Sequence, residues 1–288
     1  MFRTLVIAAH PDEPEMYAGG TAALLAAAGH AVKFLTLTNG DAGHHELEPG
    51  PLARRRAEEA VRAADALGVT TYEIFHDISD GRLEPDVPTR LRVLHALRTW
   101  RPDLVIALHG DDAPGHADNR GTGRLVAQAV EFATVRNLDP AAPLPRQPVC
   151  LLMTDYASNP VHRPDVVIDV TPTLDAKLDA CLAHASQFLE FAPFQRGLLG
   201  KVPGGVGDGA GADVAADAAA DVAADVEEQR RRFVREHWEF GVPEAARPGL
   251  VARYGAERAE AVEHAEIFQF APYGQAVDEA HLSRLLPF

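Results

Sequence analysis

The chain is predicted to fold as α/β, with a Rossmann-like, doubly wound and mostly parallel sheet in the order 3-2-1-4-5 followed by C-terminal additions. Three observations predict this: short apolar runs spread through residues 3–155, a helix-length segment between each pair, and 288 residues that are 47% hydrophobic. Such a length and composition can bury one large core. Strands alternating with helices of ten or more residues pair in parallel through right-handed crossovers.

The elements follow in order. Thr4–Ala9 is an unbroken apolar run, as a strand covered on both faces requires. Gly19–Ala28 is the first helix, Val32–Thr38 the second strand, Leu52–Leu67 the second helix and Tyr72–Phe75 the third strand. Thr89–Trp100, Leu104–Leu108, Gly121–Val135 and Val149–Thr154 continue the alternation as helix, strand, helix and strand. Beyond residue 160, Val166–Val170 adds a strand, and Leu174–Leu189 is an amphipathic helix with Leu174, Leu178, Cys181, Leu182 and Phe188 toward the core. The stretch 204–226 is almost entirely Gly, Ala, Asp and Val and reads as a disordered, low-complexity insertion, its Ala-rich second half able to form a frayed helix. Glu227–Phe240 is a charged helix, and Tyr254 to Tyr273 ends a single domain spanning 1–288.

Charge and composition exclude several classes of function. A net charge of −15 without a basic stripe argues against a nucleic-acid partner. No apolar run reaches the length of a membrane span, and the chain enters a strand within four residues, so a cytoplasmic protein acting on a small molecule is expected. Cys150 and Cys181 have no metal-type spacing and read as packing residues. Gly19-Gly20 does not complete a dinucleotide fingerprint.

In the order 3-2-1-4-5 the topological switch falls between strands 1 and 4, so the loops after them should form the cleft. Those loops carry the polar clusters His10-Pro11-Asp12-Glu13 and His109-Gly110-Asp111-Asp112 with Gly115-His116-Ala117-Asp118-Asn119. An imidazole and carboxylates at a strand end suit a metal site for hydrolysis, which needs ligands, a place for water and a separate base. The competing reading is that His10 and Asp12 only cap the next helix.

The stretch Ala9-His10-Pro11-Asp12-Glu13-Pro14-Glu15 with Gly19-Gly20-Thr21 resembles the LmbE-like (PIG-L) family of metal-dependent N-deacetylases. So do Thr38-Asn39-Gly40-Asp41-Ala42-Gly43-His44, the helix from Arg54-Arg55-Arg56 to Glu59, Ser79-Asp80-Gly81-Arg82-Leu83, and His116-Ala117-Asp118-Asn119-Arg120. Arg253-Tyr254-Gly255 and Ala265-Glu266 extend the likeness to the C-terminus. The resemblance implies removal of an N-acetyl group from an amino sugar or related polar metabolite, with Asp12 as general base and His116 assisting the tetrahedral intermediate. It implies metal ligands at His10, Glu13 and Asn119, and substrate contacts at Asp80 and Arg55; His44, a polar residue in the loop with Gly40 and Gly43 near the cleft, is also expected to contact substrate. The family pattern has Asp and His where this chain has Glu13 and Asn119.

Both changes weaken a zinc set, since an amide oxygen is a poorer zinc ligand than imidazole. One divalent ion, zinc first, is expected. The alternatives are a site that recruits His116, His109, His44 or Asp112, a harder ion, or no metal. A protein that has lost hydrolysis and binds a ligand, or one that catalyses a different natural-product reaction, is the alternative function. The resemblance leaves a homo-oligomer open.

Overall fold

The structure is a computed structural model that describes residues 1–110, 115–155, 162–205, 216–238 and 240–288. Its sheet has seven strands: β1 (Arg3–Ala8), β2 (Ala31–Thr36), β3 (Thr71–Ile74), β4 (Leu104–Ala107), β5 (Val149–Met153), β6 (Val166–Asp169) and β7 (Ala265–Phe270). Their order is β3-β2-β1-β4-β5-β7-β6. The first five are parallel and reproduce the expected 3-2-1-4-5. The addition differs: β7, the last strand in the chain, inserts antiparallel between β5 and β6.

Helices α1 (Glu13–Ala27), α2 (Pro49–Leu67), α3 (Val87–Trp100) and α4 (Ala117–Glu131) link the parallel strands. Then come α5 (Leu174–Ala183), a π-helical turn (Ser186–Phe191), α6 (Ala192–Gln195), α7 (Ala216–His237), α8 (Arg247–Tyr254), α9 (Ala256–Ala261) and α10 (Glu279–Leu285). The expected helix Leu174–Leu189 therefore breaks at Ala183 and resumes with a wider turn. Of the expected insertion, residues 206–215 lie outside the described residues, whereas from Ala216 the chain is in α7.

Strand periodicity divides the core between the two sheet faces. Val6, Ala8, Phe34 and Ile106 pack with Ala18, Ala22 and Leu25 of α1 and Ala180 of α5. Leu5, Ile7, Leu35 and Val105 pack with Leu94 and Leu97 of α3 and Leu125 and Val126 of α4. All of these side chains are buried. Among the described residues no helix is long and apolar enough to cross a membrane.

Two glycines let helices close on the sheet. A Cβ on Gly20 would lie 2.6 Å from the Cβ of Val170, and one on Gly123 only 2.2 Å from the carbonyl oxygen of His109. The first contact docks α1 beside β7, where Gly20 and Thr21 amides donate to the Glu266 carboxylate (2.8 Å each), itself paired with Lys177 (2.7 Å). The second lays α4 directly on the end of β4, which brings its N-terminus over the carboxyl edge of the sheet.

Candidate active site

The β1 strand ends at Ala8, and a tight turn carries His10, Asp12 and Glu13 into α1. Asp12 has φ 110°, a left-handed conformation that a non-glycine residue adopts at a cost of order 1–3 kcal/mol. It occupies the N-cap position of α1, yet its side chain makes no capping bond. Its Oδ1 instead accepts from Arg56 Nη2 (2.9 Å), and Arg56 also donates to the carbonyls of Gly40 and Pro11. The capping reading thus fails for Asp12. Loss of hydration on burial pushes its pKa up to about 6, against the opposing pull of the Arg56 guanidinium.

His10 is held from behind. Its Nδ1 lies 3.2 Å from Glu13 Oε1, and its Nε2 points to Asp80 Oδ1 at 3.0 Å and Asp118 Oδ2 at 3.4 Å. Burial lowers the His10 pKa, but the charge of Glu13 and the facing carboxylates of Asp118 and Asp80 raise it well above the usual imidazole range. Asp80 comes from the loop after β3, where its amide donates to Asp41 Oδ1 (3.0 Å). The carboxylate of Asp118 accepts from the amides of Gly81 (2.7 Å) and Leu83 (3.3 Å). Loss of hydration would raise both acids, but the facing His10 holds Asp118 below the usual carboxylate range and brings Asp80 to about 2.

His116 caps α4. Its Nδ1 accepts from the Asp118 amide (3.2 Å), which leaves the proton of a neutral ring on Nε2, 3.9 Å from Asp80 Oδ1. The His10 and His116 rings are 4.7 Å apart, edge to face. The corners at 10–13 and 116–119 therefore meet, as the topology requires. Among the described residues, donor atoms of His10, Asp80, His116 and Asp118 lie within 4.8 Å of one another.

Several expected site residues take other positions. Glu13 is buried, with Oε2 accepting from the Ala9 and His10 amides (2.9 Å each) and Oε1 facing His10 Nδ1, so both oxygens are already engaged. Asn119 donates from Nδ2 to Asp155 Oδ2 (3.4 Å), while its buried Oδ1, the atom expected to bind an ion, makes no hydrogen bond among the described residues. Arg55 turns away to Glu190 and Glu59, while Arg56 lines the cavity. His44 pairs with Glu190 at 2.8 Å and is not on the cavity wall. His109 pairs with His162 at 2.7 Å, and Asp112 lies outside the described residues. Glu15, the last acid of the motif, is fully buried against His184 (3.0 Å) and joins α1 to the segment after α5. The helix period could have separated Arg56 from Arg55, because Leu52, Arg56, Glu59, Ala60 and Ala63 share one buried face of α2.

A cavity of about 700 Å³ opens over His10, Asp12, Asp80 and His116. It is a size suited to a small-molecule ligand. A donor set for a divalent cation is present on its floor: the buried Nε2 of His10 has no hydrogen bond although it is aimed between two carboxylates. With Glu13 on the other ring nitrogen, this is the carboxylate–histidine arrangement that orients metal-bound imidazoles. The residues fit a metal.

The family model PIG-L, GlcNAc-PI de-N-acetylase, matches residues 5–130. The diacetylchitobiose deacetylase of Thermococcus kodakarensis is 32% identical over 195 residues, covering 65% of this chain and 71% of the relative. The chain belongs to the PIG-L family. Not every PIG-L relative is a deacetylase by name: the 4-oxalmesaconate hydratase of Pseudomonas putida is 27% identical over 210 residues, 68% of this chain and 80% of that one. The PIG-L fold extends over nearly the whole chain, since N,N'-diacetylchitobiose deacetylase from Pyrococcus horikoshii superposes with a TM-score of 0.63 at 22% identity, covering 94% of this chain and 84% of the other.

Proposed function

We propose that the protein is a metal-dependent N-deacetylase that hydrolyses the linear amide of an N-acylated amino sugar or a related small polar metabolite. The observation that carries this reading is the Asp12 carboxylate, which is held out of its helix cap in a strained turn and lines the same cavity as His10, Asp80 and His116. The relatives named as amino-sugar deacetylases support the substrate class.

His10, Asp80 and Asp118 would hold the ion, with Glu13 orienting His10. When bound, a divalent ion, zinc first, supplies a Lewis acid that makes water nucleophilic near neutral pH. Asp12 accepts the proton of the attacking water and returns it to the departing nitrogen. Arg56 keeps the Asp12 carboxylate at that position. The Nε2–H of His116 donates to the amide oxygen as negative charge builds on it. Because His116 Nδ1 already accepts a backbone amide, its ring suits a donor better than a ligand.

The test is acetate release from a panel of N-acetylated amino sugars by the wild type and by Asp12→Asn. Turnover by the wild type, and loss of turnover with retained metal in the variant, is the expected result. An unchanged rate in Asp12→Asn would remove that residue from the chemistry. The hydratase relative favours a second reading, addition of water to an activated double bond using the same base and donor. Turnover of an unsaturated carboxylic acid without acetate release by the panel would select it.

A further inference from the structure

The side of the cavity away from the His and Asp cluster has a different chemistry. It is built by the π-helical turn, by α6 and by the residues that close α7, with Met16 of α1 beside them, and it presents Phe188, Phe191 and Trp238. Trp238 is fixed rather than loose: its ring lies 5.2 Å from Phe188 and 6.0 Å from Phe233, centroid to centroid. Over its other surroundings sits the guanidinium of Arg196, 5.3 Å from the ring, with Nη1 donating to the His237 carbonyl (2.6 Å).

The two cations that line the cavity are not equivalent. Arg56 is buried and bonded to Gly40, Pro11 and Asp12. Arg196 is exposed at the rim, and among the described residues its Nη2 and Nε have no hydrogen-bond partner. Asp12, Glu13 and Asp80 on the floor face His10, Arg56 and the place proposed for a divalent ion, so their charge is largely offset there. At the rim, the open donors of Arg196 are within reach of an anion. A guanidinium supported by an indole face keeps its planar donor edge for a carboxylate or phosphate, and the indole offers a stacking surface beside it.

We propose that this wall is a second subsite, which takes the part of the substrate remote from the amide, and that this part joins an apolar ring face to an anionic group. The ring stacks on Trp238 and the anion meets Arg196, which leaves the amide end of the substrate toward His10, Asp12 and Asp80. The size of the cavity agrees, since about 700 Å³ holds much more than an acetamido group. This subsite rests on the deacetylase reading for its placement relative to the amide, but its binding is separately measurable.

The experiment compares three probes: N-acetylglucosamine and its 4-carboxyphenyl and 4-methoxyphenyl β-glycosides. Dissociation constants are measured for the wild type, Arg196→Gln and Trp238→Ala, and acetate release is followed separately. The wild type should bind the carboxyphenyl probe about tenfold tighter than the methoxyphenyl probe, the worth of one hydrogen bond to a charged group. Arg196→Gln should bring that ratio to about one. Trp238→Ala should weaken both aryl probes about tenfold relative to the free sugar. A ratio near one in the wild type, a ratio that survives Arg196→Gln, or aryl affinities unmoved by Trp238→Ala would overturn the subsite. Absence of acetate with the binding pattern intact would instead count against the deacetylase reading alone.

Discussion

Replacing Arg56 by Met keeps an unbranched apolar stem and removes the guanidinium on which the turn at Asp12 depends. Arg56 is 2% exposed and donates to two backbone carbonyls and to Asp12 Oδ1 (2.9 Å). Breaking a fully buried ion pair from one side costs about 3–5 kcal/mol, and the lower end applies here because Asp12 is 22% exposed and keeps some water. The carbonyls of Gly40 and Pro11 lose a donor as well, at about 1–3 kcal/mol for each that water does not reach. Part of this is recovered when the strained Asp12 backbone relaxes, so a net loss of about 4 kcal/mol is expected. That relaxation moves the base, and a displacement of about 1 Å costs roughly 100-fold in rate. Urea unfolding and acetate release, measured on Arg56→Met and on Arg55→Met as the adjacent control, check both figures. Arg55 is a third exposed, and its buried partners keep other donors, Glu59 from Ser186 and Glu190 from His44, so its loss should cost only about 1–2 kcal/mol. Equal effects of the two substitutions, or a loss below about 1 kcal/mol for Arg56→Met, would refute the reasoning.

Glu13→Gln should lower metal affinity about 10- to 100-fold in a competition titration, because it removes the charge that orients His10 from Nδ1. Gly123→Ala should destabilise the protein by at least about 2 kcal/mol in thermal unfolding, since the added methyl would stand 2.2 Å from the His109 carbonyl and push α4 off the end of β4. Burial would raise the Glu190 pKa, but Arg55 and His44 outweigh it and hold the carboxyl below the usual glutamate range. The folded state therefore binds this proton less readily than the unfolded chain. The resulting stability is present above the ordinary glutamate range and is lost as pH falls through the folded-state value. Chemical unfolding at a series of pH values should accordingly show a shallower acid loss in Glu190→Gln than in the wild type.

Much of the fold was legible in the chain because β1, β2, β4 and β5 are buried on both faces and therefore stand out as short apolar runs. β7 was not, since Ala265-Glu266-Ile267-Phe268-Gln269-Phe270 alternates and follows a helix-like charged stretch, so it read as a tail. Its placement follows from Glu266, whose carboxylate is bound by the amides of Gly20 and Thr21. The corners of the site were legible because they sit at the strand ends where the sheet order reverses. The division of labour within them was not, because a motif states which residue types are present and not which way each carboxylate turns. Glu13 is one methylene longer than Asp, reaches back to the Ala9 and His10 amides, and leaves Asp80 and Asp118 to face His10 Nε2. The wall of Phe188, Phe191, Arg196 and Trp238 left no signal, since a π-helical turn shifts the helix face that the 3.6-residue period would assign.

The convergence of the loops after β1, β3 and β4 on one ion is tested most directly by metal content per chain, measured by mass spectrometry on protein purified without chelators and then supplied with zinc. One ion per chain is expected in the wild type and in Asn119→Ala, and loss of that ion in Asp80→Asn and in Asp118→Asn. An ion that survives both aspartate substitutions but is lost in Asn119→Ala, or a wild-type chain that binds none, would contradict it.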